Sequence, residues 1–201
     1  MDTDTALAAR LATNLDVAFP ALVDVHSARL YTIAVRYLGA PGDAEEVAQD
    51  ALVRAYEAMT GYDAARIRAL RLRPWLATIT LNLARNRRRR IADRLPPVRL
   101  DPLVEVGREP IVPGHLSPAA VAERRERRDE LAAALLALPG PMREAIVLRH
   151  VDGLSVAETA TALGRPEGTV KAQVHRGLTL LRNHLALSPD SQADQAGEKT
   201  A

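Results

Sequence analysis

Apolar side chains recur along this chain at spacings of three and four, in runs separated by glycine and proline, the signature of amphipathic helices. Leu22, Val25, Leu30, Ile33, Ala34 and Tyr37 mark a helix over 16–38. Residues 39–42, Gly-Ala-Pro-Gly, form a loop by composition. Asp43 follows as an N-cap, with Glu46 at the third helical position, and the helix runs to about 59 with Val47, Ala51, Ala55 and Ala58 on one side. Residues 61–73 are less regular and accommodate a loop or one short helical turn. Pro74 is a natural first-turn residue for a helix over 75–93. That helix places Leu76, Ile79, Leu83 and Arg87 on one stripe and Asn82, Arg85, Asn86 and Arg89 on another. Ser117-Pro118 then reads as a cap and first residue of a helix over 119–138.

The last third carries the sharpest local signals. Ser155 with Glu158 fits a capping box, and Val156, Ala157, Ala160 and Leu163 recur at helical spacing. Gly164 stands where the chain must turn without a Cβ penalty. Pro166 suits the first position of the next helix, whose buried stripe is Val170, Val174, Leu178 and Leu181. The opposite face carries Lys171, Gln173, His175 and Arg176. Two short helices about a glycine turn, the second cationic, predict a helix-turn-helix whose side chains pair with phosphates and reach base edges in a major groove. A helical hairpin with a solvated basic face is the plainer reading of the same pattern.

Composition narrows the class. One Trp, one Phe and four Tyr in 201 residues leave Leu, Val, Ile and Ala to build any core, which favours packed helices over a β-sandwich. The absence of Cys removes disulfides, thiol catalysis and thiolate metal sites, and fits a reducing, cytoplasmic setting. His26, His115, His150, His175 and His184 are scattered without metal-ligand pairing, so each reads as surface or structural. No Gly-rich phosphate loop or nucleophile–base pair argues for an enzyme, and no cofactor is expected. No apolar run reaches the length of a membrane span, and no basic-then-apolar leader opens the chain.

Net charge is only +2, but its distribution is uneven. Asp43, Glu45, Glu46, Asp50 and Glu57 form an acidic segment. A basic one follows, with Arg66, Arg68, Arg71, Arg73, Arg85, the run 87–90 and Arg94, opposed nearby only by Asp63 and Asp93. The asymmetry predicts two partners of opposite sign: a basic protein and nucleic acid. The predicted fold is all-α: a flexible N-terminal arm or frayed helix over 1–15, a helical domain over 16–94, an extended Pro-rich linker over 95–117, a helix-turn-helix domain over 118–187 and a disordered tail over 188–201.

Asp43-Ala-Glu-Glu-Val-Ala-Gln-Asp50, then Arg73-Pro-Trp-Leu76, then Asn82-Leu-Ala-Arg-Asn86 together resemble the second conserved region of bacterial sigma factors. The stretch from Leu138-Pro139 to Leu185 resembles the fourth region, and a linker in place of a middle domain resembles the extracytoplasmic-function (ECF) subgroup. Two motif blocks in order, spanning about 22–187, are far more specific than a lone helix-turn-helix. The resemblance implies a non-enzymatic initiation subunit that joins core RNA polymerase, through the β′ clamp helices and the β flap, and directs it to promoter DNA. It assigns Asp43, Glu46, Gln49 and Asp50 to docking on the clamp helices, where carboxylates would meet arginines through charge-assisted hydrogen bonds. It assigns Tyr62, Asp63, Arg66, Asn82, Arg85, Asn86 and Arg89 to the −10 element, where one strand is exposed and a base is captured outside the stack. Trp75 falls either near the duplex–bubble junction or in the core against Leu38 or Leu76. Arg165, Glu167, Thr169, Lys171, Ala172, His175 and Arg176 would face the −35 element. Arg165-Pro166 departs from the family, where a Ser-type cap is usual. The linker, with Asp101, Glu105 and Glu109, would thread the polymerase as an RNA mimic or serve as a plain tether. Such factors are often held by an anti-sigma factor. The competing reading is a stand-alone helix-turn-helix regulator, which leaves the acidic helix and the Asn/Arg helix unexplained.

Overall fold

The structure, a computed structural model, describes residues 3–94 and 118–186. The linker, its acidic residues and the tail expected beyond residue 187 lie outside the described residues. Nine α-helices follow one another without a strand among the described residues: α1 (Thr3–Thr13), α2 (Leu15–Leu38), α3 (Pro41–Thr60), α4 (Ala64–Arg68), α5 (Leu72–Arg94), α6 (Pro118–Ala137), α7 (Gly140–Ile146), α8 (Val156–Leu163) and α9 (Glu167–Ala186). A π-helical turn, Val147–Val151, prolongs α7.

Of the two readings of the N-terminal stretch, arm or helix, residues 3–13 take the helix, α1. Leu7, Ala8 and Leu11 of α1 are buried with Leu22 and Leu30 of α2, Ile67 of α4 and Leu72 and Leu76 of α5. The heptad-like apolar triplet is short, and the acid and hydroxyl residues around it mask its amphipathicity in the sequence. Asn14 separates α1 from α2 and caps α2, its side chain accepting from Val17 N. His26 of α2 is buried beside Asp4 of α1, Nε2 at 3.5 Å from the carboxylate. Burial lowers its pKa, with Asp4 acting in the opposite sense, so His26 is a structural residue, as its scattered placement predicts.

Three helix starts differ from expectation, the simplest being α5, which opens at Leu72 rather than at 75. The break between α2 and α3 is only Gly39 and Ala40, because Gly39 adopts φ 76° as the C-cap of α2 and Pro41 opens α3 at once. Asp43 is therefore not the N-cap; Ala40 is, without a side-chain hydrogen bond, and Asp43 lies within the first turn. Pro166 likewise stands just outside α9 rather than at its first position, its carbonyl accepting from Val170 N at 3.1 Å. The predicted capping box is present in full: Ser155 Oγ accepts from Glu158 N, and the Glu158 carboxylate accepts from Ser155 N at 2.8 Å. Gly164 ends α8 at φ 63°.

In α9, Val170 and Leu181 are buried, while Val174 and Leu178 are half-buried at the edges of two clusters. The buried residue that periodicity misses is Gly177, where a Cβ would stand 2.6 Å from Ile146 Cδ1 and 3.3 Å from Met142 Cβ of α7. Gly177→Leu should force α9 off α7 and destabilise the chain by about 1–3 kcal/mol in chemical unfolding, the usual cost of overpacking. A midpoint unchanged from wild type would show that the two helices separate freely.

The two halves share a core. One cluster joins Ile33, Ala34 and Tyr37 of α2, Val47 of α3 and Ala77, Leu81 and Ala84 of α5 to Val147 and Leu148 of the π-turn, Leu154 of the turn that follows it, Ala160 and Leu163 of α8 and Val170 of α9. The pattern predicts two small domains, and both are present, but the π-turn lies on α2 and α8 on α5 rather than apart from them.

Candidate functional site

α3 presents its acids on a rigid base. Ala44, Val47, Ala48, Ala51 and Ala55 pack inward, so Glu46, Gln49 and Asp50 project to solvent on the opposite side. Asp43 is half-buried and accepts from Arg87 Nε at 2.7 Å, and Arg87 also reaches Glu46 at 2.8 Å. Arg87, expected on the apolar stripe of α5, ties α5 to the start of α3. Beside these acids runs a groove between α2 and α3, lined by Ser27, Ala28 and Tyr31 on one wall and Glu45, Gln49 and Leu52 on the other.

The second group gathers around α4. Asp63 caps this short helix, accepting from Arg66 N at 2.7 Å. The Arg66 guanidinium lies 3.7 Å from the centroid of the Tyr62 ring, and Trp75 stands beside Tyr62 with ring centroids 6.3 Å apart. Trp75 is half-buried against the N-terminal cluster with Leu76, while Leu38 belongs to the other cluster, so of its two expected core partners Leu76 is the neighbour. The structure thus brings Tyr62, Asp63, Arg66 and Trp75 together at one corner. Asn82, Asn86 and Arg89 are exposed along α5, with Arg89 donating to Asn86 at 2.6 Å and Arg85 to Asn82 at 2.9 Å.

The third group is the outer face of α9. Glu167, Thr169, Lys171, His175 and Arg176 are exposed, and Ala172 is half-buried between them. Arg165 is the exception. It donates to Glu144 at 2.5 Å, to Gln173 Oε1 at 3.0 Å and to the Pro141 carbonyl at 3.2 Å, so it braces the turn before α9. Arg85 is the matching exception on α5, gripping the same Glu144 in a fork of 2.7 and 2.8 Å.

Glu144 was invisible to periodicity because it sits in an apolar run, Met142-Arg-Glu-Ala-Ile-Val-Leu148. A charged pair inside such a run is the signal that finds it, since buried charges require partners. Burial pushes the Glu144 carboxyl upward, and the hydrogen bonds and charges of Arg85 and Arg165 outweigh it, leaving the pKa below the ordinary value. Its stabilising contribution is therefore complete above the unfolded-state carboxylate pKa and is lost as pH falls through the lower, folded one. In chemical denaturation series, wild type should lose stability on acidification below about pH 4.5 more steeply than Glu144→Gln. Parallel pH profiles would deny that Glu144 is ionised in its pair. Arg143, the other half of the run, donates to the carbonyls of Tyr37, Leu136 and Leu138. Burial, then the like charge of Arg88, lowers its pKa to about 10.

These surfaces define a class: a two-part helical protein with an exposed acidic helix face, an Asn/Arg helix and a cationic helix-turn-helix. The comparisons are specific. Residues 22–94 match the Sigma-70 region 2 model and residues 128–181 the Sigma-70 region 4 model. The chain is 33% identical over 174 residues to the ECF RNA polymerase sigma factor SigW of Bacillus subtilis, covering 84% of this chain and 89% of the relative. It is 28% identical over 185 residues to the ECF RNA polymerase sigma-E factor of Escherichia coli K12, covering 90% and 93%. Among solved structures, CnrH in complex with the cytosolic domain of CnrY superposes with a TM-score of 0.66 at 26% identity, covering 93% of this chain and 99% of that one. The chain belongs to the ECF RNA polymerase sigma factors.

Proposed function

We propose that this chain joins core RNA polymerase through the acidic face of α3, with Glu46, Gln49 and Asp50 as the contacts and Asp43 orienting them through Arg87. Tyr62, Asp63 and Arg66 at α4 capture a base of the −10 element, and Asn82, Asn86 and Arg89 of α5 follow the exposed strand. Lys171, His175 and Arg176, with Glu167, Thr169 and Ala172, face the −35 duplex. The helix itself supplies further affinity, because free N–H groups at its start favour a phosphate. The factor does no chemistry of its own; it positions the polymerase and works in the cytoplasm. No described helix is long and apolar enough to cross a membrane.

The observation that carries this reading is the pairing in one chain of an exposed acidic helix and two separate cationic surfaces, each within its matched sigma region. An inhibitory partner fits the same surfaces: CnrH and the Bartonella quintana sigma factor RpoE were each solved bound to a second protein, the latter described as the anti-sigma factor NepR. The test is reconstitution. Purified chain added to core polymerase should co-elute with it and yield transcripts from fixed start sites on genomic fragments, whereas core alone yields none. Tight site-specific binding by the chain alone, with indifference to core, would replace this reading with a stand-alone regulator.

A further inference from the structure

Resting on the reading of α9 as the −35 surface, we infer that Arg165 is a positioning residue: it bolts α9 to α7 through Gln173 and Glu144, fixes the roll of α9 about its own axis, and so sets which bases the outer face can read.

Arg165 joins three helices. Its main-chain N–H donates to the Ala160 carbonyl near the end of α8 at 3.0 Å. Its guanidinium donates to Glu144 at 2.5 Å and to the Pro141 carbonyl at 3.2 Å, both on α7, and to Gln173 Oε1 at 3.0 Å on α9. The Arg165 side chain is 22% exposed and that of Glu144 6%, so the pair lies largely out of water. With three protein acceptors the guanidinium serves the fold rather than a phosphate. Pro166, which follows, has no N–H to give and restricts Arg165 to extended backbone, so a side chain supplies the anchoring that the turn itself lacks.

The seat of α9 shows why such a bolt matters. Val170, Gly177 and Leu181 are buried and fall within about 40° of one line along the helix. Val174 and Leu178 extend this seat to one flank. Gln173 stands on the other flank, about 60° from Val170 around the axis. Apolar contact is non-directional, so the seat holds α9 down without choosing between small rotations. A hydrogen bond is directional, and the one from Arg165 grips α9 off its line of contact. Because a guanidinium only donates, Gln173 has to turn its amide oxygen to Arg165, which fixes that side chain as well. At a radius of about 6 Å, a roll of about 20° would carry a side-chain tip about 2 Å sideways, more than a hydrogen bond to a base edge tolerates. Lys171, Ala172, His175 and Arg176 would all shift together, since they share the helix.

The test uses the full chain with two duplexes: one carrying the −35 segment of a start site mapped by the reconstitution above, and the same duplex with that segment shuffled. Arg165→Ala and Gln173→Ala should each lower the preference for the mapped duplex about tenfold, the scale of one mismatched base pair. The double variant should be no worse than either single one, because both break the same link. Glu144 keeps Arg85 as its partner when Arg165 is removed, so melting should change little. On the shuffled duplex, Arg165→Ala should leave the slope of log K against log salt unchanged, since no phosphate contact is lost. A slope flattened by about 0.9, or a double variant about a hundredfold worse, makes Arg165 a direct DNA contact and overturns the bolt. Full preference in either single variant, or equal losses on both duplexes in step with a lower melting temperature, overturns it as well. Those outcomes leave the −35 reading standing. A wild-type chain that does not prefer the mapped duplex removes that reading, and the bolt with it.

Discussion

The double charge reversal Glu46→Arg with Asp50→Arg is expected to lower affinity for core RNA polymerase about a hundredfold, the scale for breaking close charge pairs across an interface. The two residues are one helical turn apart on α3 and exposed, so both would meet one partner surface. The helix does not depend on them: its inward alanines, Val47 and Met59 hold it against α2 and α5. Arg87 keeps Asp43 as a partner when Glu46 is lost. Reversal replaces the two attractions of the proposed docking with repulsions, which is why the effect exceeds that of alanine. Titration of labelled chain into core measures it, with thermal melting as the control for folding. Wild-type affinity in the double variant would take α3 out of the docking role.

The second large effect is expected on the recognition helix. Lys171→Ala with Arg176→Ala should weaken binding of the full chain to a −35 duplex on the order of a hundredfold at low salt, taking about 1.5 kcal/mol for each charge-assisted contact. The salt dependence is the sharper readout. Two phosphate contacts fewer should flatten the slope of log K against log salt by about 1.8. Both side chains are exposed and neither has a hydrogen-bonding partner among the described contacts, so α9 should stay folded on Val170, Gly177 and Leu181. A weaker affinity with an unchanged slope would assign them to base edges instead.

The sequence made the long helices and the helix-turn-helix legible because each has a local cause. The stripe Leu22–Tyr37, the Ser155/Glu158 box and the αL glycine at 164 each act within a turn or two. What stayed hidden depends on partners far away in the chain. Asp43 looks like a cap until Pro41 is seen to open the helix two residues earlier and Arg87, forty-four residues on, takes the carboxylate. Arg85 and Arg165 read as two DNA contacts; their common hold on Glu144 spans separations of 59 and 21 residues. Arg29 and Asp152 are 123 residues apart, and nothing near either one announces the other. Alanine contributes to this blindness. Ala34, Ala77, Ala84 and Ala160 let helices from both halves approach closely, yet alanine is the commonest neutral filler of any helix.

The packing of α1 reaches past recognition into how this chain can be handled. The matched sigma region begins at residue 22, and trimming to that border would strip Leu7, Ala8 and Leu11 from above Ile67 and Leu72. The bared greasy floor lies directly under the corner that holds Tyr62 and Arg66. A shortened protein would therefore clump, and the Tyr62–Arg66 corner would lose its backing while the acidic face of α3 stayed in place.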